Sequence, residues 1–283
     1  MIIFLNNGRL GNQLFHYAFL LSQARKDETV LMMGMDELVE LLDMQTPNFR
    51  HVRTCRIVRQ ILGHVILPLL TGARFVSEIR ILRSADGSPE LGLVQTRGVL
   101  KNVRIVRADF YASEFFFNPD QVKTFSIRSE HVQSARAFMD GLPSDKTKVF
   151  IHVRRGDYCH EAFKGIKDIS LPKRYFERAV AVIRQHVADP FFIILSDDKA
   201  WCEENFRSLS QSVMSDCSMY TDFAIMTMCR AGIVSNSTFS WWGAYLMKEP
   251  ICVVAPRYWI GWKLQEEYPV GIQRAFFSPA DAS

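Results

Sequence analysis

The sequence predicts an α/β protein in two halves, and three observations carry that prediction. The chain has 283 residues, 48% of them hydrophobic and 23% charged, enough to bury the cores of two domains. It opens on a strand, a glycine loop and a helix, and from Val149 onward apolar runs of strand length alternate with helical patterns.

Ile2 to Leu5 form a short buried-strand candidate, followed by the turn-rich Asn6 to Gln13 and an apolar helix through Phe19, Leu20 and Leu21. The stretch from Arg50 to Arg107 is basic and interleaved with apolar runs. Within it, Val52 to Arg83 fits a buried helix with solvated arginines, and it also fits a segment lying on anionic lipid. The polar, proline-containing Leu142 to Lys148 marks the expected domain boundary, with domains at 1–144 and 145–283.

In the second half the pattern gives strands at 149–153, 191–195, 232–235 and 251–254. Helices are expected at 172–187, 199–206, 222–230 and 239–247. Such alternation builds a parallel sheet, and ligands of open parallel sheets bind beyond the carboxyl ends of the strands. The polar clusters of this sequence fall at those ends.

His152-Val-Arg-Arg-Gly-Asp-Tyr158 follows the first of these strands. Arginine forks donate several charge-assisted hydrogen bonds to phosphate oxygens, so Arg154 and Arg155 suit a diphosphate; Asp157 as their partner within the chain is the competing use. Ser196-Asp-Asp198 ends the next strand, where Asp198 could take a ribose or guanine donor or cap the following helix. Because consecutive strand residues point to opposite faces, the two acids are not expected to share a metal.

Ser235-Asn-Ser-Thr-Phe-Ser-Trp-Trp242 joins a strand to a helix, and its N–H and hydroxyl groups suit either phosphate binding or helix capping. Trp241 and Trp242 are expected in the core. Gly8-Arg-Leu-Gly-Asn-Gln13 lets backbone approach a ligand, with Asn12 at a helix start. No GxGxxG, GxxxxGK[ST] or GxSxG spacing is present, which removes the main support for nicotinamide, ATP-hydrolase and serine-hydrolase readings.

A net charge of +4 suits a phosphate-bearing ligand or an anionic surface, without the basic runs of a nucleic-acid arm. The six cysteines contain no CxxC pair and read as reduced thiols, and the opening apolar run is too short for a signal peptide or anchor. A cytoplasmic protein is expected, with peripheral contact at the inner membrane if the Val52 to Arg83 stretch meets lipid.

Taken together, these residues resemble the bacterial α-1,2-fucosyltransferase family. His152 to Tyr158 is similar to its HxRRxDY motif, Ser235 to Trp242 to its SNSxFSWW block, and Gly8 to Ala18 to its N-terminal GxGNQxFQYA segment. Asp109 to Phe116 resembles its aromatic Ser-Glu segment. His16 stands where the family usually has Gln, and Asp109 where Gly is common.

The resemblance implies a GT-B architecture of two Rossmann-like domains facing a cleft, and metal-independent inverting transfer with no cofactor. The donor would be GDP-fucose and the acceptor a galactose-terminated oligosaccharide, lipid-linked in the membrane reading. It also implies roles. Arg155 meets the β-phosphate, Asn12 approaches the fucose, and His152, Arg154, Asp157, Asp198, Asp222, Asn236, Ser237, Thr238 and Phe239 bind the donor. Asp109 and Glu114 are acceptor-side candidates and, with Asp157, candidates for the base. A fucosyltransferase of α-1,6 or O-linkage, or a nucleotide- or glycan-binding module without catalysis, fits the arginines as well.

Overall fold

In the computed structural model, which describes residues 1–282, the chain divides into two units, Met1–Ser126 and a second beginning at Ile127. In the first, β1 (Ile2–Leu5), β2 (Val30–Met33) and β3 (Phe49–Val52) pair in parallel, linked by α1 (Leu10–Gln23) and α2 (Asp36–Leu41). A helical segment follows, made of α3 (Arg56–Ile61), a π-helical turn (Leu62–Ile66) and α4 (Leu67–Gly72). Strands β4 (Val76–Arg83), β5 (Pro89–Thr96) and β6 (Leu100–Val106) complete a sheet of order β3-β2-β1-β6-β4-β5, in which only β5 runs antiparallel to its neighbour. A 3₁₀ turn (Glu114–Phe116) and α5 (Pro119–Val122) end the unit.

Helix α1 is apolar along most of its length because ten of its fourteen residues are buried, including Leu14, Phe15, Phe19 and Leu20. The helical segment Arg56–Gly72 is the opposite case. None of its residues is buried, which corrects the buried-helix expectation for this stretch.

The second unit starts with α6 (Ser129–Asp140), which packs on α9 (Met219–Met228) and so belongs here, although the sequence boundary at 144 had assigned it to the first half. Strand β7 (Thr147–Val153) is central. A hairpin of β8 (Ala162–Phe163) and β9 (Ile166–Lys167), then α7 (Lys173–His186), β10 (Pro190–Ser196), α8 (Lys199–Asn205), β11 (Ser212–Met214) and α9 follow. Next come β12 (Ala231–Ile233), α10 (Thr238–Tyr245), β13 (Cys252–Pro256) and β14 (Phe277–Ala280).

The six strands form one parallel sheet of order β11-β10-β7-β12-β13-β14. Crossover helices cover its faces, so the inner strands are mostly apolar: Val149 to Val153 in β7 and Phe191 to Leu195 in β10 are all buried. Helix α7 turns Tyr175, Phe176, Ala179, Val180 and Ile183 onto the sheet, a spacing of three to four residues that puts them on one stripe. Trp241 and Trp242 are fully buried, as expected.

Candidate functional site

The carboxyl ends of β7, β10 and β12 lie side by side, and each delivers one polar cluster. From β7, Arg154 holds two carboxylates: Nη2 meets Asp157 Oδ1 at 2.7 Å and Nη1 meets Asp197 Oδ2 at 2.8 Å. Arg155 donates from Nε to Asp198 Oδ2 at 3.2 Å and from Nη1 to Ser170 Oγ at 3.3 Å, and its guanidinium lies 4.5 Å over the Trp201 ring.

The two arginines therefore differ. Arg154 commits both terminal nitrogens to acids, whereas a guanidinium carries five N–H donors and Arg155 commits Nε and Nη1, leaving Nη2 as a donor. Both side chains are less than a fifth exposed, so their charges are shielded from water on most sides yet reachable.

Asp197 and Asp198 both engage this segment, which overturns the expectation that they point to opposite faces. Strand β10 ends at Ser196, so the alternation of a strand does not extend to them. Asp197 Oδ1 also accepts the Arg155 backbone N–H at 2.9 Å, and Asp198 Oδ1 caps α8 by accepting the Trp201 N–H at 3.1 Å. The close seating requires Gly156, where an added Cβ would lie 2.7 Å from Asp197 Oδ2.

His152 points the other way along the edge. Its Nδ1 bonds Ser235 Oγ at 2.7 Å and its ring lies 5.4 Å from Phe239, while Tyr158 donates its hydroxyl to the Asn236 carbonyl at 3.3 Å. Burial, reinforced by the Arg154 charge, pushes the His152 pKa down to about 3, so its imidazole is neutral at physiological pH. It positions the edge and adds no positive charge to it.

At the head of α10, Ser237 Oγ accepts the Phe239 N–H at 3.3 Å, so the capping role weighed for this run is realised. Thr238 is the first residue of that helix. Asn236 is fully buried and donates to the Ile169 carbonyl at 2.7 Å. Asp222 sits in the first turn of α9, accepts the Ser215 hydroxyl at 2.6 Å, and is raised by burial to a pKa of about 6. Its sequence neighbour Phe223 packs against Phe239, ring centroids 5.4 Å apart.

In the first unit, Asn6 ties the glycine loop: its Nδ2 donates to Gly8 O and Gly34 O, and its Oδ1 accepts Gly8 N–H. Gln13 donates to Gly8 O and accepts the Leu38 N–H. His16 bridges Asn6 Oδ1 at 2.9 Å and Asp109 O at 2.7 Å; burial pushes its pKa down to about 4, so the neutral ring donates to one of the two oxygens. Asn12 stands in the first turn of α1, where its Cβ closes on Gly8.

A cavity of about 1060 Å³ opens at the carboxyl ends of β1 and β6, lined by Asn6, Asp36, Glu37, Arg59, Glu78 and Arg107 among others. Its wall carries both signs of charge. Asn12, Asp109 and Glu114 are not among its lining residues. Asp109 is held by Arg83 at 2.5 Å and accepts the Phe110 N–H, and Glu114 opens the 3₁₀ turn behind Ser113.

The predicted donor set lies wholly in the second unit and, apart from Asp222, gathers beyond the carboxyl ends of β7, β10 and β12, whereas the acceptor candidates Asp109 and Glu114 lie off the cavity of the first. Sequence reading missed Asp197, Ser170 and Trp201. Asp197 was signalled by its neighbour Asp198, whereas Ser170 and Trp201 reach Arg155 only through folding.

The family model for Glycosyl transferase family 11 matches residues 100–266, which include the whole arginine segment and the head of α10. Galactoside alpha-(1,2)-fucosyltransferase 2 of Mus musculus is 35% identical over 137 residues, 45% of this chain and 40% of that one. The O-antigen biosynthesis glycosyltransferase WbnK of Escherichia coli is 35% identical over 114 residues, 38% of each chain. The matched stretch spans about two fifths of these relatives' length. The crystal structure of a family 9 glycosyl transferase from Veillonella parvula DSM 2008 shares the fold, with a TM-score of 0.53 at 12% identity over 98% of this chain and 85% of that one. A sheet edge that gathers two arginines and a helix N-terminus lies inside a family match covering more than half of the residues, and on that ground the chain belongs to glycosyl transferase family 11.

Proposed function

We propose that the protein is a galactoside α-1,2-fucosyltransferase that moves L-fucose from GDP-β-L-fucose to the 2-hydroxyl of a galactoside in a surface glycan, with inversion and without a metal. The observation that carries this reading is Arg155: a shielded guanidinium at the end of the central strand, oriented by Asp198, Ser170 and Trp201, with Nη2 left to donate.

In this reaction the bond between the fucose anomeric carbon and the phosphate oxygen breaks, its electron pair stays on the β-phosphate, and the acceptor oxygen bonds the anomeric carbon as it loses its proton. Arg155 meets the charge growing on the leaving phosphate. Arg154, clamped by Asp157 and Asp197, fixes the loop from which Arg155 projects; His152 holds that edge to Ser235; and the α10 head with Ser237, Thr238 and Phe239 wraps the diphosphate.

Asn12 is assigned to the fucose side and the first-unit cavity to the acceptor glycan, whose hydroxyls suit a wall of mixed charge. A galactose-terminated oligosaccharide on a lipid anchor, met by a protein working inside the cell at the membrane, completes the reading. Incubation with GDP-fucose and β-galactosides, following GDP release and product linkage by NMR, tests it. An α-1,2 product is expected; an α-1,6 or O-linked product corrects the linkage, and GDP-fucose binding without release in the presence of every galactoside overturns the catalytic role.

A further inference from the structure

The helical segment Arg56–Gly72 is amphipathic with its faces reversed. Arg56, Arg59, Gln60, Gly63, His64, Leu67 and Thr71 fall on one side of the helix and line the cavity, a mainly polar face on which the bare Cα of Gly63 meets the Leu5 side chain. On the opposite side stand Ile57, Ile61, Val65 and Leu69, four residues apart and 67, 50, 50 and 67% exposed. A helix on a water-soluble surface turns its apolar stripe inward. Here the mainly polar side borders the cavity while the apolar stripe is left open to solvent.

The apolar strip continues past the helix. Phe75 N–H bonds Leu70 O at 3.0 Å and Leu100 N–H bonds Phe75 O at 2.8 Å, which brings exposed Phe75, Val99 and Leu100 alongside. Single exposed apolar residues are ordinary, but seven on one strip mark an interaction surface. Its charge identifies the occupant. From Met44 to Ser77 the sequence contains no Asp or Glu, and Arg53, Arg56 and Arg74 are exposed at the two ends of the helix, with Lys101 beside Leu100. A second copy packed face to face would set these arginines against their own kind, whereas anionic headgroups complement them.

We infer that this strip is a membrane-docking surface: Ile57, Ile61, Val65, Leu69, Phe75 and Val99 enter the interface of an anionic bilayer, with Arg53, Arg74 and Lys101 at headgroup level. The same helix walls the cavity on its inner side, so docking sets that cavity beside the lipid. The docking surface stands independently of the enzymatic reading; that the cavity then receives a glycan carried on a lipid rests on it.

Co-sedimentation of the full chain with vesicles of equal phosphatidylglycerol and phosphatidylcholine, against phosphatidylcholine alone, tests the inference. Binding is expected to the anionic vesicles only, to weaken with added salt, and to fall about tenfold or more in the double variant Ile61→Glu, Leu69→Glu. That variant is expected to keep its melting temperature and its transfer to a soluble galactoside, because both residues are exposed and off the cavity wall. Lack of binding to anionic vesicles, or binding unchanged in the variant, overturns the inference. So does a lipid-free dimer, seen by analytical ultracentrifugation, that the variant dissolves, since the occupant is then a second copy. Vesicle binding with no fucosyl transfer leaves the docking surface standing and defeats the enzymatic reading.

Discussion

Arg154 spans from the end of β7 to Asp197 beyond the end of β10, Nη1 to Oδ2 at 2.8 Å, while the other oxygen of the same carboxylate accepts the Arg155 backbone N–H at 2.9 Å. One acid thus fixes both arginines, one by its side chain and the other by its main chain. Arg155 is held through its main chain, while its guanidinium bonds Asp198 and Ser170 and keeps Nη2 for the role proposed above.

Replacing Arg155 should therefore separate catalysis from folding. Arg155→Ala is expected to lower turnover by two to three decades, on the order of 3 kcal/mol of transition-state stabilisation, with a melting temperature close to that of the parent. Arg155→Lys should recover little, because an ammonium lacks the planar fork. GDP-release assays beside thermal melts check both, and near-parental turnover in a folded Arg155→Ala protein removes this residue from the reaction.

Asp197→Asn should destabilise more than Asp157→Asn. Asp197 serves Arg154 and the Arg155 backbone together and is 29% exposed, whereas the Asp157 carboxylate is 46% exposed and its ion pair lies within one turn. Losses of about 1 kcal/mol and about half that are expected in urea unfolding. Equal losses would show that Asp197 is no clamp.

Asp222 gives a pH dependence of definite sign. Its folded pKa of about 6 lies above the ordinary carboxylate value, chiefly through burial and against the Ser215 bond, so the folded state holds the proton more tightly than the unfolded chain. Ionising it costs nothing below about pH 4, costs progressively more as pH rises to 6, and costs the full amount above. Asp222→Asn, which still accepts from Ser215, should gain about 1–3 kcal/mol over the parent at pH 8 and nothing at pH 4. Urea midpoints at the two pH values decide it.

Ser237→Ala removes the cap of α10 and is expected to cost about 1 kcal/mol, with Ser237→Thr near neutral. If the α10 head also wraps the diphosphate, the Ala variant raises KM for the donor beyond what the melt predicts. Turnover in EDTA should equal turnover with added Mg²⁺ or Mn²⁺; a dependence on either ion would refute the metal-free proposal.

How far these features were legible depends on where their cause lies. The strands Val149 to Val153 and Phe191 to Leu195 are apolar runs buried on both sides, so the sequence pattern located them to within two residues. Strands β11 and β14 were not legible. Ser212–Met214 and Phe277–Ala280 are short, carry Ser and Pro, and owe their extended state to pairing with β10 and β13. Helix α6 was missed although Val132, Ala135 and Met139 recur at helical spacing, because that stripe is thin and only Ala135 on it is buried.

Legibility within the site followed the same division. The Arg-Arg and Ser-Asn-Ser clusters stood at predicted strand ends, but their ion pairs, and the part played by Ser170 and Trp201, arise between segments far apart in sequence. The reversed helix shows a further limit. Spacing reveals that Arg56 to Gly72 has two faces, and only the fold reveals which one looks inward.

Strand β7 is hydrogen-bonded on both sides, to β10 along its full length and to β12 over Val149 to Ile151, and is sealed above and below by helices. Its amides should exchange with solvent only through global opening, among the slowest in the molecule. Arg154 and Arg155 thus follow directly on an element that does not breathe, and if they hold the donor as proposed, accommodation of it falls to rotamers and loops, not to movement of the sheet behind them.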